Sequence, residues 1–266
     1  MTEITGRTRI WGILADPIHH VKTPQALNAI MRERGVDGVM VPMHVSPADL
    51  AAFVSGLRRM RNLHGLIVTV PHKTAIFGLC DETSAAARQS EAANAVRIVD
   101  GRLSGTMLDG AGFVGGLRAG GIEPRGMRAY LAGAGGAANA IAFALAEAGV
   151  ARLTLANRTR AKAEALRARV AEAYPTLQVE VGGADPAGHD LLVNATSLGL
   201  AEGDPLPFSV EGIGPGQTVA EVIMQPAVTP LLAEAAARGC RTHPGRPMLD
   251  SQLTLMADFL GMTASA

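Results

Sequence analysis

The stretch Met127-Arg-Ala-Tyr-Leu-Ala-Gly-Ala-Gly-Gly-Ala-Ala138 constrains the fold more than any other part of the sequence. Its apolar run at residues 128–132 predicts a buried strand, and Gly133 ends it. Gly133, Ala134, Gly135, Gly136 and Ala137 then lead into an alanine-rich run at 139–148, which predicts a helix. Strand, glycine turn and helix in that order form a dinucleotide-binding fingerprint. Each small residue has a physical task in it. Gly133 permits the tight turn, and Gly135 lets the backbone approach a pyrophosphate. Ala138, in place of a third glycine, still lets helix and strand pack closely. The start of the helix offers unpaired N–H groups and the positive end of its dipole to phosphates.

A glycine pattern alone says little in a chain with 31 glycines. The next segment of chain adds weight. A second predicted strand at 152–156 ends in Asn157-Arg158-Thr159-Arg160-Ala161-Lys162. An acid roughly 20 residues past the glycines would hold a ribose 2′-hydroxyl. The polar, doubly basic loop found instead suits a 2′-phosphate, bound by Arg158 with help from Lys162. The expected cofactor is therefore NADP, with NAD less favoured. The competing reading is a helix-capping loop whose arginines are merely solvated.

A length of 266 residues leaves room for two domains of ordinary size. The formal net charge is zero and aromatics make up 3%, with no polybasic run, so neither nucleic acid nor an anionic membrane is an expected partner. Cys80 and Cys240 are far apart and lack metal-ligand spacing, which suits a reduced, cytoplasmic protein without zinc. The short polar N-terminus leads directly into Arg9 and does not read as a signal peptide. The apolar run at 131–150 approaches membrane-span length, but its four glycines, Asn139 and Glu147 favour a soluble helix.

Along the chain, strands are predicted at 10–15, 38–45 and 66–70. Thr23-Pro24 is expected to open one helix as N-cap and first residue, and Ser46-Pro47 a second. Residues 95–99 and 102–105 read as a hairpin around Asp100-Gly101, a type I′ signal. Beyond the glycine turn, further strands are expected at 178–182, 190–195 and 218–223. A last helix is expected at 248–260.

Several short segments together resemble the shikimate and quinate dehydrogenase family. Asp16-Pro-Ile-His-His-Val-Lys-Thr-Pro24 is similar to its N-terminal substrate loop, and Val68-Thr-Val-Pro-His-Lys73 to the strand end that carries its catalytic lysine. Ala92-Ala-Asn94 and Asp109-Gly110 resemble the next two active-site segments. Asn157-Arg-Thr159, Asn194-Ala-Thr-Ser-Leu-Gly199, Thr229-Pro-Leu-Leu232 and Pro247-Met-Leu249 with Gln252 continue the likeness in order over nearly the whole chain.

The resemblance implies two α/β domains with a cleft between them. Residues 1–108, completed by 245–266, would bind substrate, and 109–244 would form the Rossmann domain for NADP. Lys73 and Asp109 would be the catalytic pair. Val21, Thr23, Thr69, Asn94 and Gln252 would contact an alicyclic hydroxy acid. Asn157, Arg158, Thr159, Lys162, Asn194, Thr196 and Met224 would join the glycine turn at the cofactor, in a monomer or homodimer without a metal. His20 matches a histidine of the family with a structural part, and His19, His20 and His72 lack the partners of a metal site. The plainer alternative has Lys73 capping a loop and Asp109 capping a helix.

The chain also departs from the family. Val21 and Thr23 stand where two hydroxyl residues clamp a substrate carboxylate. Ile67, Met107-Leu108 and Met224 replace polar or aromatic groups, and Glu221 replaces an aspartate. Cofactor and catalytic positions persist while substrate contacts turn apolar, as in a divergent branch. The alternative from another class is a non-catalytic dinucleotide sensor on the same scaffold. A folate-linked dehydrogenase fits the order of segments less well.

Overall fold

Short aliphatic runs alternating with alanine- and leucine-rich segments build two α/β units. The computed structural model describes residues 3–19 and 21–264. Met1–Leu108 with Leu253–Ala266 forms one unit, and Asp109–Gln252 the other.

The first unit contains β1 (Arg9–Ala15), α1 (Thr23–Glu33), β2 (Gly38–His44), α2 (Leu50–Leu57), β3 (Leu63–Val68), α3 (Lys73–Phe77), β4 (Glu82–Thr83), α4 (Ala85–Ser90), β5 (Ala95–Val99) and β6 (Arg102–Thr106). Its sheet has the order β2-β1-β3-β5-β6-β4. β1 is parallel to β2 and β3, and β5 runs antiparallel to β3 and β6. The hairpin turn has φ of 50° at Asp100 and 77° at Gly101, the two positive values a type I′ turn requires. Leu14, Leu66, Val96 and Leu103 pack in the core beneath α2.

Several boundaries differ from expectation, three of them with a clear physical reason. β3 starts at Leu63 and ends at Val68, so Thr69 and Val70 lie beyond it. The strand is expected to start only at residue 66, yet Gly65 lies within it: a β-carbon there would stand 2.8 Å from the Val96 carbonyl and 2.6 Å from Leu260, so only glycine lets the strand pass. α1 is capped by Lys22, with Thr23 as its first residue, and α2 by Asp49, reached through a turn in which the Ser46 hydroxyl bonds the Asp49 carboxylate.

The second unit contains α5 (Asp109–Ala119), β7 (Arg128–Ala132), α6 (Gly136–Glu147), β8 (Arg152–Ala156), α7 (Arg160–Ala173), β9 (Gln178–Val181), β10 (Leu191–Asn194), β11 (Thr218–Glu221), α8 (Pro230–Ala237), β12 (Arg241–His243) and α9 (Arg246–Phe259). Every pairing in its sheet, ordered β12-β11-β10-β7-β8-β9, is parallel. That is the doubly wound dinucleotide-binding order, whose direction reverses between β7 and β10. α9 belongs to both units, and the division falls after Gln252 rather than at residue 245. The cause is the glycine face of α5. β-Carbons on Gly112 and Gly116 would meet Gln252 and Met248 at 2.9 and 2.7 Å, so the first turns of α9 lie directly on α5.

One acid is buried with no cation to meet it among the described residues. Glu221 ends β11 with no exposed surface. Its Oε2 accepts from Thr229 Oγ1 at 3.0 Å and from Asn194 Nδ2 at 3.5 Å, while Oε1 has no partner among the described residues. Burial pushes its carboxyl above the ordinary range, against the smaller opposing effect of the two donors.

This packing can be tested at two places. A β-carbon on Gly110 would stand 2.2 Å from the Ala140 carbonyl oxygen, whereas one on Gly56 in α2 would meet nothing within 4 Å. Gly110→Ala should therefore cost about 1–3 kcal/mol in denaturant unfolding, and Gly56→Ala should be neutral or stabilise by about 0.4–1 kcal/mol. The raised carboxyl pKa of Glu221 means that the folded state holds this proton more tightly than the unfolded chain. Stability is thus lost as pH rises from the unfolded value through the folded one. Glu221→Gln keeps an acceptor for Thr229 without the charge. Its melting temperature should exceed wild type by about 2–4 °C at pH 8, and the gain should vanish at pH 4; an equal gain at both pH values would exclude the charge as its source.

Candidate active site

Strand direction gathers one set of side chains in the first unit. Leu14 pairs with Val68, and Ile67 with Ala95. The carboxyl ends of β1 and β3 therefore lie beside the amino end of β5. Residues after β1 (Val21, Thr23), after β3 (Thr69, Lys73) and before β5 (Asn94) are delivered to the same end of the sheet. Backbone bonds fix these segments. Thr69 N–H donates to the Leu14 carbonyl at 3.0 Å, Asp16 N–H to that of Val70 at 3.2 Å, and Ala93 N–H to that of Lys73 at 2.9 Å.

Lys73 is the first residue of α3 and is half-buried. Its place is set by the residue before it. His72 is buried and donates through Nε2 to the Val45 carbonyl at 2.9 Å, which makes it a structural bolt. Asn94 is 1% exposed, and its Oδ1 accepts from Leu108 N–H at 2.9 Å. Val21 and Thr23 are half-buried, as is Thr69. His20 lies outside the described residues. Among the described residues no group of three or more His, Cys, Asp or Glu could hold a metal, and no helix is long and apolar enough to cross a membrane.

In the second unit Asp109 opens α5 and is 5% exposed. Gln252 Nε2, from α9, donates to its Oδ1 at 2.6 Å, which holds the carboxyl in one orientation. Gln252 Oε1 remains an acceptor for a hydroxyl group.

The reversal point between β7 and β10 is shaped by Gly133. Its φ is +119°, and a β-carbon there would stand 2.8 Å from the Ala195 carbonyl oxygen. Ala138 is fully buried against the same turn. Gly135 caps α6 without a side-chain bond, and β-carbons on Gly135 and Gly136 would meet nothing within 4 Å. Ala134 and Ala137 flank this open face, both half-buried. After β8, Asn157 Nδ2 donates to the Thr159 carbonyl at 2.9 Å, and Thr159 caps α7. Arg158 and Lys162 are exposed, and no ion pair occupies them among the described residues, whereas Arg160 is taken by Glu164 at 3.0 Å. Open backbone, a helix start without a side-chain cap and two uncommitted cations fit a dinucleotide with a 2′-phosphate.

Asn194 sits differently from a contact residue. It has no exposed surface, its Nδ2 donates to the Leu198 carbonyl at 3.0 Å, and its Oδ1 accepts from Thr196 N–H and Oγ1 at 3.0 and 2.7 Å. It shapes the turn that presents Thr196. Met224 lies beyond β11 and is 46% exposed.

Comparison with known proteins identifies the family. Residues 13–96 match the family model described as shikimate dehydrogenase substrate binding domain, and 121–198 match shikimate / quinate 5-dehydrogenase. The chain is 42% identical to the NADP(+) shikimate dehydrogenase of Rubrobacter xylanophilus, over 92% of this chain and 88% of that protein. Among solved structures, shikimate 5-dehydrogenase from Listeria monocytogenes, in complex with shikimate and NAD, superposes with a TM-score of 0.92 at 31% identity, covering 99% of this chain and 96% of that one. Ligand-free 5-ketofructose reductase of Gluconobacter sp. strain CHM43 gives 0.90 at 32% identity, covering 98% and 96%. With two family models matched in order and such likeness along nearly its full length, the chain belongs to the shikimate/quinate dehydrogenase family.

Proposed function

We propose that this chain is an NADP-dependent oxidoreductase that interconverts a secondary alcohol and a ketone on an alicyclic hydroxy acid. The observation that carries the reading is the open glycine turn at the β7/β10 reversal, with Arg158 and Lys162 uncommitted beyond β8. It stands on a chain 42% identical to an NADP(+) shikimate dehydrogenase. A catalytic role is favoured over that of a non-catalytic sensor. We place the protein in the cytoplasm, as a monomer or homodimer without a nucleic-acid partner; its free Cys80 and Cys240 suit a reducing compartment.

When bound, the nicotinamide supplies or accepts the hydride. The chain's own residues handle the rest. Lys73 Nζ and the Asp109 carboxylate pass the proton to or from the alcohol oxygen as the carbon changes oxidation state. Gln252 keeps the Asp109 carboxylate oriented and offers its own oxygen to a substrate hydroxyl. Thr69 and Asn94 bind further hydroxyls, with Asn94 rigid because its Oδ1 is already engaged.

The substrate loop supports a narrower reading. Val21 offers no hydroxyl to a carboxylate oxygen, and losing one hydrogen bond to a charged group costs ~1.5–3 kcal/mol. Thr23 keeps one donor and adds a methyl group. Shikimate itself is thus a poor substrate, and a less hydroxylated or more apolar ring is preferred. A second reading, a neutral polyhydroxy ketone, draws on Val21 and on the 32% identity to a 5-ketofructose reductase.

Lys73→Ala should lower kcat by ~10²–10⁴-fold while the Kd for NADPH changes little. Asp109→Asn should give a defect of the same kind, and the double variant should fall well short of the product of the two. Wild-type turnover in Lys73→Ala would remove the proposed proton transfer. For the cofactor, Arg158→Ala should weaken NADPH at least about tenfold and leave NADH nearly unchanged, by fluorescence titration. Equal loss for both would mean that Arg158 is structural.

A further inference from the structure

The glycine turn is held from behind by a side-chain relay that no sequence pattern announces. Arg169, on α7, donates through Nη1 to Asn139 Oδ1 at 2.9 Å, across thirty positions of sequence. Its guanidinium also lies over the Phe143 ring, 5.6 Å from the centroid, and is thereby fixed in place. The other end of the same amide is equally committed. Asn139 Nδ2 donates to the carbonyls of Ala134 and Gly135 at 3.1 and 2.9 Å. Asn139 N–H also bonds the Gly135 carbonyl at 2.9 Å.

These bonds have a directional consequence. In a trans peptide the N–H points away from the C=O. Turning the carbonyls of Ala134 and Gly135 in toward Asn139 turns the N–H groups of Gly135 and Gly136 outward. The backbone there is open to close approach, since a β-carbon added to either glycine would meet nothing within 4 Å. An amide has one acceptor and one donor end. With Oδ1 claimed by a guanidinium, only the NH₂ end can face the loop, and the loop carbonyls need a donor.

We propose that Arg169 and Asn139 form a positioning pair that presets the Gly135 and Gly136 N–H groups for the pyrophosphate common to NADP and NAD. The inference rests on the reading that this turn binds the dinucleotide. It assigns to Arg169 an effect on affinity without contact with the cofactor, and one that ignores the 2′-phosphate.

The test is binding by calorimetry of NADP⁺, NAD⁺ and adenosine 2′-monophosphate, which lacks the pyrophosphate, to wild type, Arg169→Ala, Asn139→Ala and the double variant. Each single variant should weaken NADP⁺ and NAD⁺ by the same factor, about 5–10-fold. The double variant should be no worse than Asn139→Ala, and adenosine 2′-monophosphate should bind all four proteins alike. Parallel loss of adenosine 2′-monophosphate would show general damage to the domain and overturn the proposal. So would an Arg169→Ala variant that binds NADP⁺ like wild type, or two single effects that multiply in the double variant. A wild-type protein that binds neither dinucleotide would instead overturn the cofactor reading on which the pair depends.

Discussion

The Ala195 carbonyl oxygen occupies space that a β-carbon on Gly133 would need, at 2.8 Å. The cofactor half of the protein depends on that contact. β7 must turn outward at the very place where β10 ends, because the winding of the sheet reverses between them. With glycine at φ +119° the two turns close on each other, and α6 starts directly above the strand ends. A larger residue would push the turns apart and misplace the N–H groups of the next two glycines. From the other side the same junction is held by Asn194, Thr196, Thr229 and Glu221, a hydrogen-bonded cluster at the ends of β10 and β11. The buried acid in that cluster costs stability. Its return is a single arrangement for the turn after β10 and the start of α8, since Thr229 caps that helix through Leu232 N–H.

Legibility in the sequence tracked the physics of each signal. Asp100-Gly101 was readable because a type I′ turn demands two positive φ values and few residue pairs accept them. The five-stranded run of the Rossmann sheet from β7 to β11 was readable from aliphatic runs separated by glycine and polar turns. β12 and β4 were not, because Arg241-Thr-His243 and Glu82-Thr83 are short, polar and without periodicity. Thr23 and Ser46 misled as caps because a cap is defined by backbone conformation, and Lys22 and Asp49 are the residues that precede the helical bonds. The small residues of α5 at 112, 115 and 116 recur at helical spacing and could have announced a close helix partner.

The site shows a similar division. Local motifs announced the glycine turn, the basic loop after β8 and the strand end before Lys73. What they could not supply was the use of each side chain. Asn194 reads as a contact residue in the sequence, yet both ends of its amide are consumed within its own turn and by Glu221. Gln252 reads as a substrate group, and its bond to Asp109 through Nε2 is a second use that no motif states. Arg169 carries no motif at all, because its partner lies on another helix. Long-range pairs of this kind leave no periodic trace.

The two halves also changed differently. The cofactor turn keeps every small residue its geometry requires, while the substrate loop has Val21 in place of a hydroxyl donor. On the function proposed here, such a chain keeps hydride chemistry and shifts its substrate. The most direct test is NADP⁺ reduction, monitored at the reduced-nicotinamide absorbance band, with the purified protein and a panel of alicyclic hydroxy acids that includes shikimate. The account predicts turnover of at least one panel member, faster with NADP⁺ than with NAD⁺, and a kcat/KM for shikimate well below ~10⁵ M⁻¹s⁻¹, a common enzyme value. Reduction with no member of the panel, or shikimate turned over at ~10⁵ M⁻¹s⁻¹, would contradict it.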